Sequence, residues 1–307
     1  MFSLLIQVVV PLALLATLTV RTHSRLLKMT QALSVFGYLS AVHLAGLWLD
    51  FPWWTPWVLW ALYALCLAAG SRPKAAEAPA APSSWLFTTM WSVSALLFGW
   101  LALTAALARI PPPGPAVNVA SPLQTARYLV ANGGNRSLTN AHLETLNGGT
   151  PRKAAYRGQS YGIDIVGLTP FGRTSTAWQP RQPERYAIFG TPILAPCNGK
   201  VVARLDGRRD MPVPITDEQV MAGNHVVLRC GDVHLLLAHM RRGSVEVREG
   251  QLVRVGERLG EVGNSGNSDA PHLHIHAQRP GQPGALFAAD PIPLRINGRY
   301  LVRGDRL

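Results

Sequence analysis

Three histidines alternate in Pro271-His272-Leu273-His274-Ile275-His276. In an extended chain, residues i, i+2 and i+4 point to one face, so three imidazoles share one surface. Neutral imidazole binds zinc, and it also moves protons near neutral pH. A lone histidine is usually structural. Three aligned on a strand, just after the Gly/Asn-rich Gly263-Asn264-Ser265-Gly266-Asn267, point to a metal site or an acid–base centre. Seven of the nine histidines fall after residue 140: His142, His225, His234, His239, His272, His274 and His276. Of these, His225 and His234 read as strand-surface or core residues.

The elements that would position these side chains are short strands. Lys200–Leu205, His225–Arg229, Val233–Ala238, Val245–Val247, Leu252–Val255 and His272–Ala277 are rich in β-branched or apolar residues and bounded by turn formers such as Cys197-Asn198-Gly199, Asp206-Gly207 and Glu249-Gly250. The pattern predicts an all-β, mostly antiparallel domain, either two packed sheets or a partly open barrel. Residues 120–150 are expected to hold a strand and one short helix. Cys197 and Cys230 fall on neighbouring expected strands; they form a disulfide or remain two buried thiols. Cys66 is expected to stay reduced.

The first third of the chain is different. Up to residue 110 there are six Lys/Arg and two Asp/Glu, against 23 and 15 afterwards, and eight of the nine Trp lie in this part. Four runs, 1–20, 29–49, 51–71 and 85–108, have the length of a membrane-spanning helix. Arg21, Arg25 and Lys28 follow the first run, and Arg72 and Lys74 follow the third, which places those loops in the cytoplasm and both termini outside. Trp48, Trp53, Trp54 and Trp57 suit an interfacial belt at the outer turn. His43 within the second run either marks a site or packs as a neutral ring against a neighbouring helix. Residues 72–84, rich in Pro and Ala, read as a cytoplasmic loop, and Pro111-Pro112-Pro113-Gly114-Pro115 as a stiff spacer. The expected organisation is a four-helix transmembrane region over 1–109, a linker and extension over 110–150, and a β domain over 151–307. The net charge of +8 beyond residue 110 suits anionic envelope polymers or lipid head groups, or simply a solvated surface. No aromatic-interleaved basic stretch argues for nucleic acid.

Val262-Gly263-Asn264-Ser265-Gly266-Asn267-Ser268-Asp269-Ala270-Pro271-His272-Leu273-His274 resembles the signature of the M23 (lysostaphin/LytM-type) zinc metallopeptidases, which cut peptide bonds in bacterial cell-wall peptidoglycan. Tyr161-Gly162-Ile163-Asp164 resembles the aspartate motif of that family, and Leu194–Val201, Gly223–Val227, Leu237–Met240 and Val253–Gly260 resemble further segments in the same order. The resemblance covers roughly residues 155–280. It implies a two-sheet antiparallel lysostaphin-like fold, with Asp164 and His274 binding Zn2+ and with His239 and His272 as the acid–base pair. A catalytic zinc takes about three protein ligands and leaves a position for water. The two histidines would then exchange protons with that water and with the leaving amine.

The sequence departs from the family at one ligand. The position four residues before the aspartate, a histidine in the family, is Ser160 in Arg157-Gly158-Gln159-Ser160-Tyr161. A neutral hydroxyl is a poor zinc ligand. His142 is the first candidate replacement and His276 the second; His142 could equally be a loop residue bonded to the backbone. The resulting expectation is a multi-pass protein of the bacterial inner membrane whose periplasmic domain is a zinc endopeptidase. Peptidoglycan and membrane lipids would be its partners, with no protein partner indicated. The alternatives are a non-catalytic M23-like module that binds the wall or regulates its hydrolysis, and a protein whose membrane region is the functional part.

Overall fold

The computed structural model describes residues 2–20, 24–71, 85–124, 127–282, 285 and 287–307. The expected cytoplasmic loop 72–84, and with it Arg72 and Lys74, lies outside these residues, as does Arg21. The chain divides into two compact units, 1–48 with 53–107, and 49–52 with 108–307.

The first unit is helical at each of the four apolar runs. Phe2–Thr19 is an α-helix with a π turn at Leu5–Val9; Arg25–Ala45, Thr55–Gly70 and Trp85–Leu107 follow. Among the described residues one helix, Trp85–Leu107, is long and apolar enough to cross a membrane, by length and composition. The expectation of four such spans is therefore reduced to one. The reasons are local. Arg25–Ala45 has the length but carries Arg25, Lys28, Thr30 and Gln31 in its first two turns. Thr55–Gly70 opens on Pro56 and stops after 16 residues, short of the roughly 20 that span the hydrocarbon core. His43 accepts a hydrogen bond from Trp60 Nε1 at 3.0 Å, so it packs as a ring against a neighbouring helix.

The second unit is mostly β. Its strands, in chain order, are β1 Val117–Val119, β2 Tyr128–Asn132, β3 Ile163–Gly167, β4 Pro192–Leu194, β5 Gly199–Leu205, β6 Asn224–Cys230, β7 Val233–Met240, β8 Leu252–Val253, β9 Arg258–Glu261, β10 Leu273–Gln278, β11 Pro291–Ile292, β12 Leu294–Ile296 and β13 Arg299–Tyr300. The main sheet runs β2-β3-β10-β7-β6-β5-β8, with β11 beside β10, and its pairings are antiparallel. Two departures from the expected pair of antiparallel sheets appear. The described residues form three sheets, the smaller two being β1-β12-β13 and β4-β9, and β1 pairs with β12 in parallel. That parallel pair joins the two ends of the unit, a contact that no local pattern announces. Residues 110–150 supply β1, β2 and a 3-10 turn to this unit. Cys197 and Cys230 are disulfide-bonded, with Cα atoms 6.1 Å apart.

One face of the main sheet forms the core. Leu273, Ile275 and Ala277 of β10, Leu235 and Leu237 of β7, and Ile163 and Ile165 of β3 all pack there. Strict alternation then sends the intervening residues, among them Asp164, His274 and His276, to the other face.

Candidate metal centre

β3 and β10 are neighbours, and their register sets Asp164 directly opposite His274. His274 Nδ1 lies 2.8 Å from Asp164 Oδ1. On its other side the carboxylate meets His142, whose Nε2 is 3.0 Å from Asp164 Oδ2. His142 stands in the 3-10 turn Ala141–Thr145. Asn140 caps this turn by accepting from the His142 backbone N–H, while its amide donates to the Gly134 and Gly162 carbonyls. Gly162 must lack a side chain: a Cβ there would come within 2.7 Å of His274 Cε1 and 3.2 Å of His142 Cδ2. The donor atoms of His142, Asp164 and His274 all lie within 4.8 Å of one another. Donors about 2 Å from a tetrahedral ion sit roughly 3.3 Å apart, close to the two separations quoted above.

Ser160 is not among these donors. Its hydroxyl is fully buried, donates to the Arg157 carbonyl and lies 2.9 Å from Thr145 Oγ1. Nor does His276 join the donor group. It lies behind His274, with its Nδ1 2.8 Å from His274 Nε2, and its own Nε2 is 3.3 Å from Gln278 Oε1.

This row offers a test of whether a cation fits. Asp164, His274, His276 and Gln278 make three successive contacts through two rings. Each neutral imidazole carries one proton. Two protons cannot fill three contacts, so one contact joins two lone pairs. Burial keeps the rings neutral: it pushes His274 down to about 4 and His276 well below the ordinary histidine range, and neighbouring imidazoles add to the effect at His276. A cation held by Asp164 and His274 would satisfy the whole row. A carboxylate with two imidazoles is a donor set that suits zinc.

The charge balance around Asp164 agrees with this. Burial alone would raise its pKa, but the neighbouring imidazoles of His142, His272 and His274 hold it well below the usual range. At His142, burial is outweighed by the charge and hydrogen bond of Asp164, which raise it. Asn132 Nδ2 donates to Asp164 Oδ2 at 2.8 Å, and Arg303 Nη2 donates to Asn132 Oδ1 at 2.8 Å. Nothing in the sequence spacing marks Asn132 or Arg303. A bulge puts Asn132 in place: β2 has one extra residue between Val130 and Asn132, which turns Asn132 from the core side to face Asp164.

A second bulge places His239. Alternation from Leu235 and Leu237 would send it into the core. β7 instead has one residue more than β6 between Leu237 and Met240, and His239 takes a left-handed backbone with φ +61°. The side chain is thereby turned to the site, and Met240 takes the core position. Such strain in a non-glycine residue concentrates at functional sites. His239 Nδ1 donates to the Ser265 carbonyl at 2.9 Å, and His272 Nδ1 donates to the Ala270 carbonyl at 2.8 Å. In each ring Nε2 is thus the nitrogen left to face the site. The two rings lie 4.7 Å apart, and His272 Nε2 is 3.6 Å from Asp164 Oδ1. Burial first, then His272 and His274, push His239 well below its ordinary pKa, so it rests as a base. These groups open onto a groove of about 470 Å³ with Tyr156, Met221, Leu236 and Phe287 among its apolar lining.

Residues 185–285 match the family model of Peptidase family M23. This interval contains His239, His272 and His274; Asp164 and His142 lie upstream of it. The peptidoglycan DD-endopeptidase ShyA of Vibrio cholerae is 31% identical over 106 residues, which are 34% of this chain and 21% of that protein. The chain spans about a fifth of the length of the curated relatives it matches. Among solved structures, the catalytic domain of lysostaphin from Staphylococcus simulans is 22% identical, with 43% of this chain and 74% of that one covered and a TM-score of 0.28. A zinc-containing peptidase from Vibrio cholerae is 18% identical, with 48% of each chain covered and a TM-score of 0.23.

Proposed function

We propose that the β unit is a zinc-dependent endopeptidase that cuts peptide bonds in peptidoglycan. The observation that carries this reading is the convergence of His142, Asp164 and His274 beside two imidazoles, His239 and His272, whose Nδ1 atoms are held by backbone carbonyls. His142 Nε2, a carboxylate oxygen of Asp164 and His274 Nδ1 would hold the metal. Bound there, zinc would polarise the scissile carbonyl and acidify a water. His239 and His272 would accept and return protons at Nε2, and their charged forms would steady the developing oxyanion. The groove beside them would align an extended peptide. The M23 match and the peptidoglycan DD-endopeptidase relative support the substrate class.

The helical unit is proposed as an anchor in the bacterial inner membrane through Trp85–Leu107, with the β unit on the periplasmic side. The apolar helix Trp85–Leu107, the basic residues beside the apolar runs and the disulfide support this placement.

Purified full-length protein should contain stoichiometric zinc and should release new free amines from isolated peptidoglycan. Zinc without amine release would favour the second reading, a wall-binding or regulatory module, for which Ser160 at the customary ligand position is the supporting observation. Freshly purified protein free of zinc would overturn the metalloenzyme.

A further inference from the structure

His274, His276 and Gln278 occupy successive positions on one face of β10, each no more than 2% exposed. Only the first of them belongs to the donor group. The other two continue it inward as a row: His274 Nε2 to His276 Nδ1, then His276 Nε2 to Gln278 Oε1.

An amide oxygen can only accept. With Gln278 Oε1 at the far end, His276 must carry its proton on Nε2 and offer Nδ1 as an acceptor. His274 must then carry its proton on Nε2, which leaves Nδ1 bare toward Asp164. The opposite direction would put a proton on His274 Nδ1 and remove it as a metal donor. The amide is held in place by backbone: Gly158 lies so close that a Cβ there would overlap Gln278 Oε1.

We infer that Gln278, acting through His276, is a positioning group that fixes the proton of His274 on Nε2 and so presents a bare Nδ1 to the metal. The inference rests on the zinc reading above. Outer partners of this kind typically change metal affinity 10- to 100-fold.

The test uses the full-length chain in detergent. Zinc affinity is measured by competition with a chelator, the visible spectrum is recorded with Co2+ as substitute, and the ring protons of His274 are located by 15N spectra of the zinc-loaded protein. His276→Phe, which keeps a ring but cannot accept, should bind zinc about 10- to 100-fold more weakly and shift the cobalt bands. His276→Asn, whose Oδ1 occupies the place of Nδ1, should recover affinity to within a few-fold. The wild-type His274 proton should be found on Nε2. Should His276→Phe fail to fold, Gln278→Met should weaken zinc binding in the same direction.

Folded variants that bind zinc as the wild type does would overturn the relay, as would His276→Asn no better than His276→Phe, or a proton on Nδ1. A wild type that binds no zinc at all would instead overturn the metalloenzyme reading on which the relay depends.

Discussion

Ser160 Oγ lies 2.9 Å from Thr145 Oγ1, and Thr145 donates in turn to the carbonyl of His142 at 2.8 Å. The position where an M23-type sequence would place a metal ligand thus braces the turn that delivers a different donor. His142→Ala should lose stoichiometric zinc while keeping the fold. Ser160→His should not restore zinc to that variant, because the Ser160 side chain is fully buried and aimed at Thr145; overpacking there should cost about 1–3 kcal/mol. Metal analysis and thermal unfolding of the single and double variants check both statements.

His239 and His272 should separate binding from turnover. Neither belongs to the donor group, so His239→Ala and His272→Ala should retain zinc. Loss of a proton-transfer group lowers the rate about 10²- to 10⁴-fold, which amine release from peptidoglycan would record. Zinc loss in either variant would instead make that histidine a ligand.

Zinc should stabilise the β unit by mass action, by about 2.7 kcal/mol when free metal is a hundredfold above Kd. Asp164→Asn should abolish the gain, since it removes the charge shared by both histidine contacts. Melting curves with zinc, with chelator and with zinc restored provide the measurement.

Acid should destabilise the zinc-free protein partly through His225. Burial lowers its pKa, with a weaker opposing effect from its hydrogen bond to the Gly223 carbonyl. The unfolded chain therefore binds the proton first. The stability due to the neutral ring is complete above about pH 6.5 and falls below it, by at most about 1.4 kcal/mol per pH unit. His225→Phe should flatten the loss between pH 7.5 and 5.5 in urea unfolding. An unchanged slope would show that this ring titrates normally.

The parts of the site that follow from alternation were legible in the sequence. Leu273, Ile275 and Ala277 point to the core, so His274 and His276 must share the opposite face. His142 stood out by its type, but the turn that carries it to Asp164 depends on the Asn140 cap and on Gly162, which no period reveals. The places of Asn132 and His239 were hidden for another reason. Each follows a one-residue bulge, and a single added residue reverses which face a side chain meets. The parallel pairing of β1 with β12 joins residues about 180 positions apart and leaves no local trace. In the helical part, apolar runs fixed where helices form, while proline starts and polar first turns decided their length and character.

The chain has three cysteines, and the bond between Cys197 and Cys230 leaves Cys66 as the remaining sulfhydryl. The oxidation state of that pair reports the compartment in which the β unit matures. Alkylation of protein quenched in acid should modify one sulfur per molecule if the β unit matures beyond the reducing cytoplasm, and three if it matures within it.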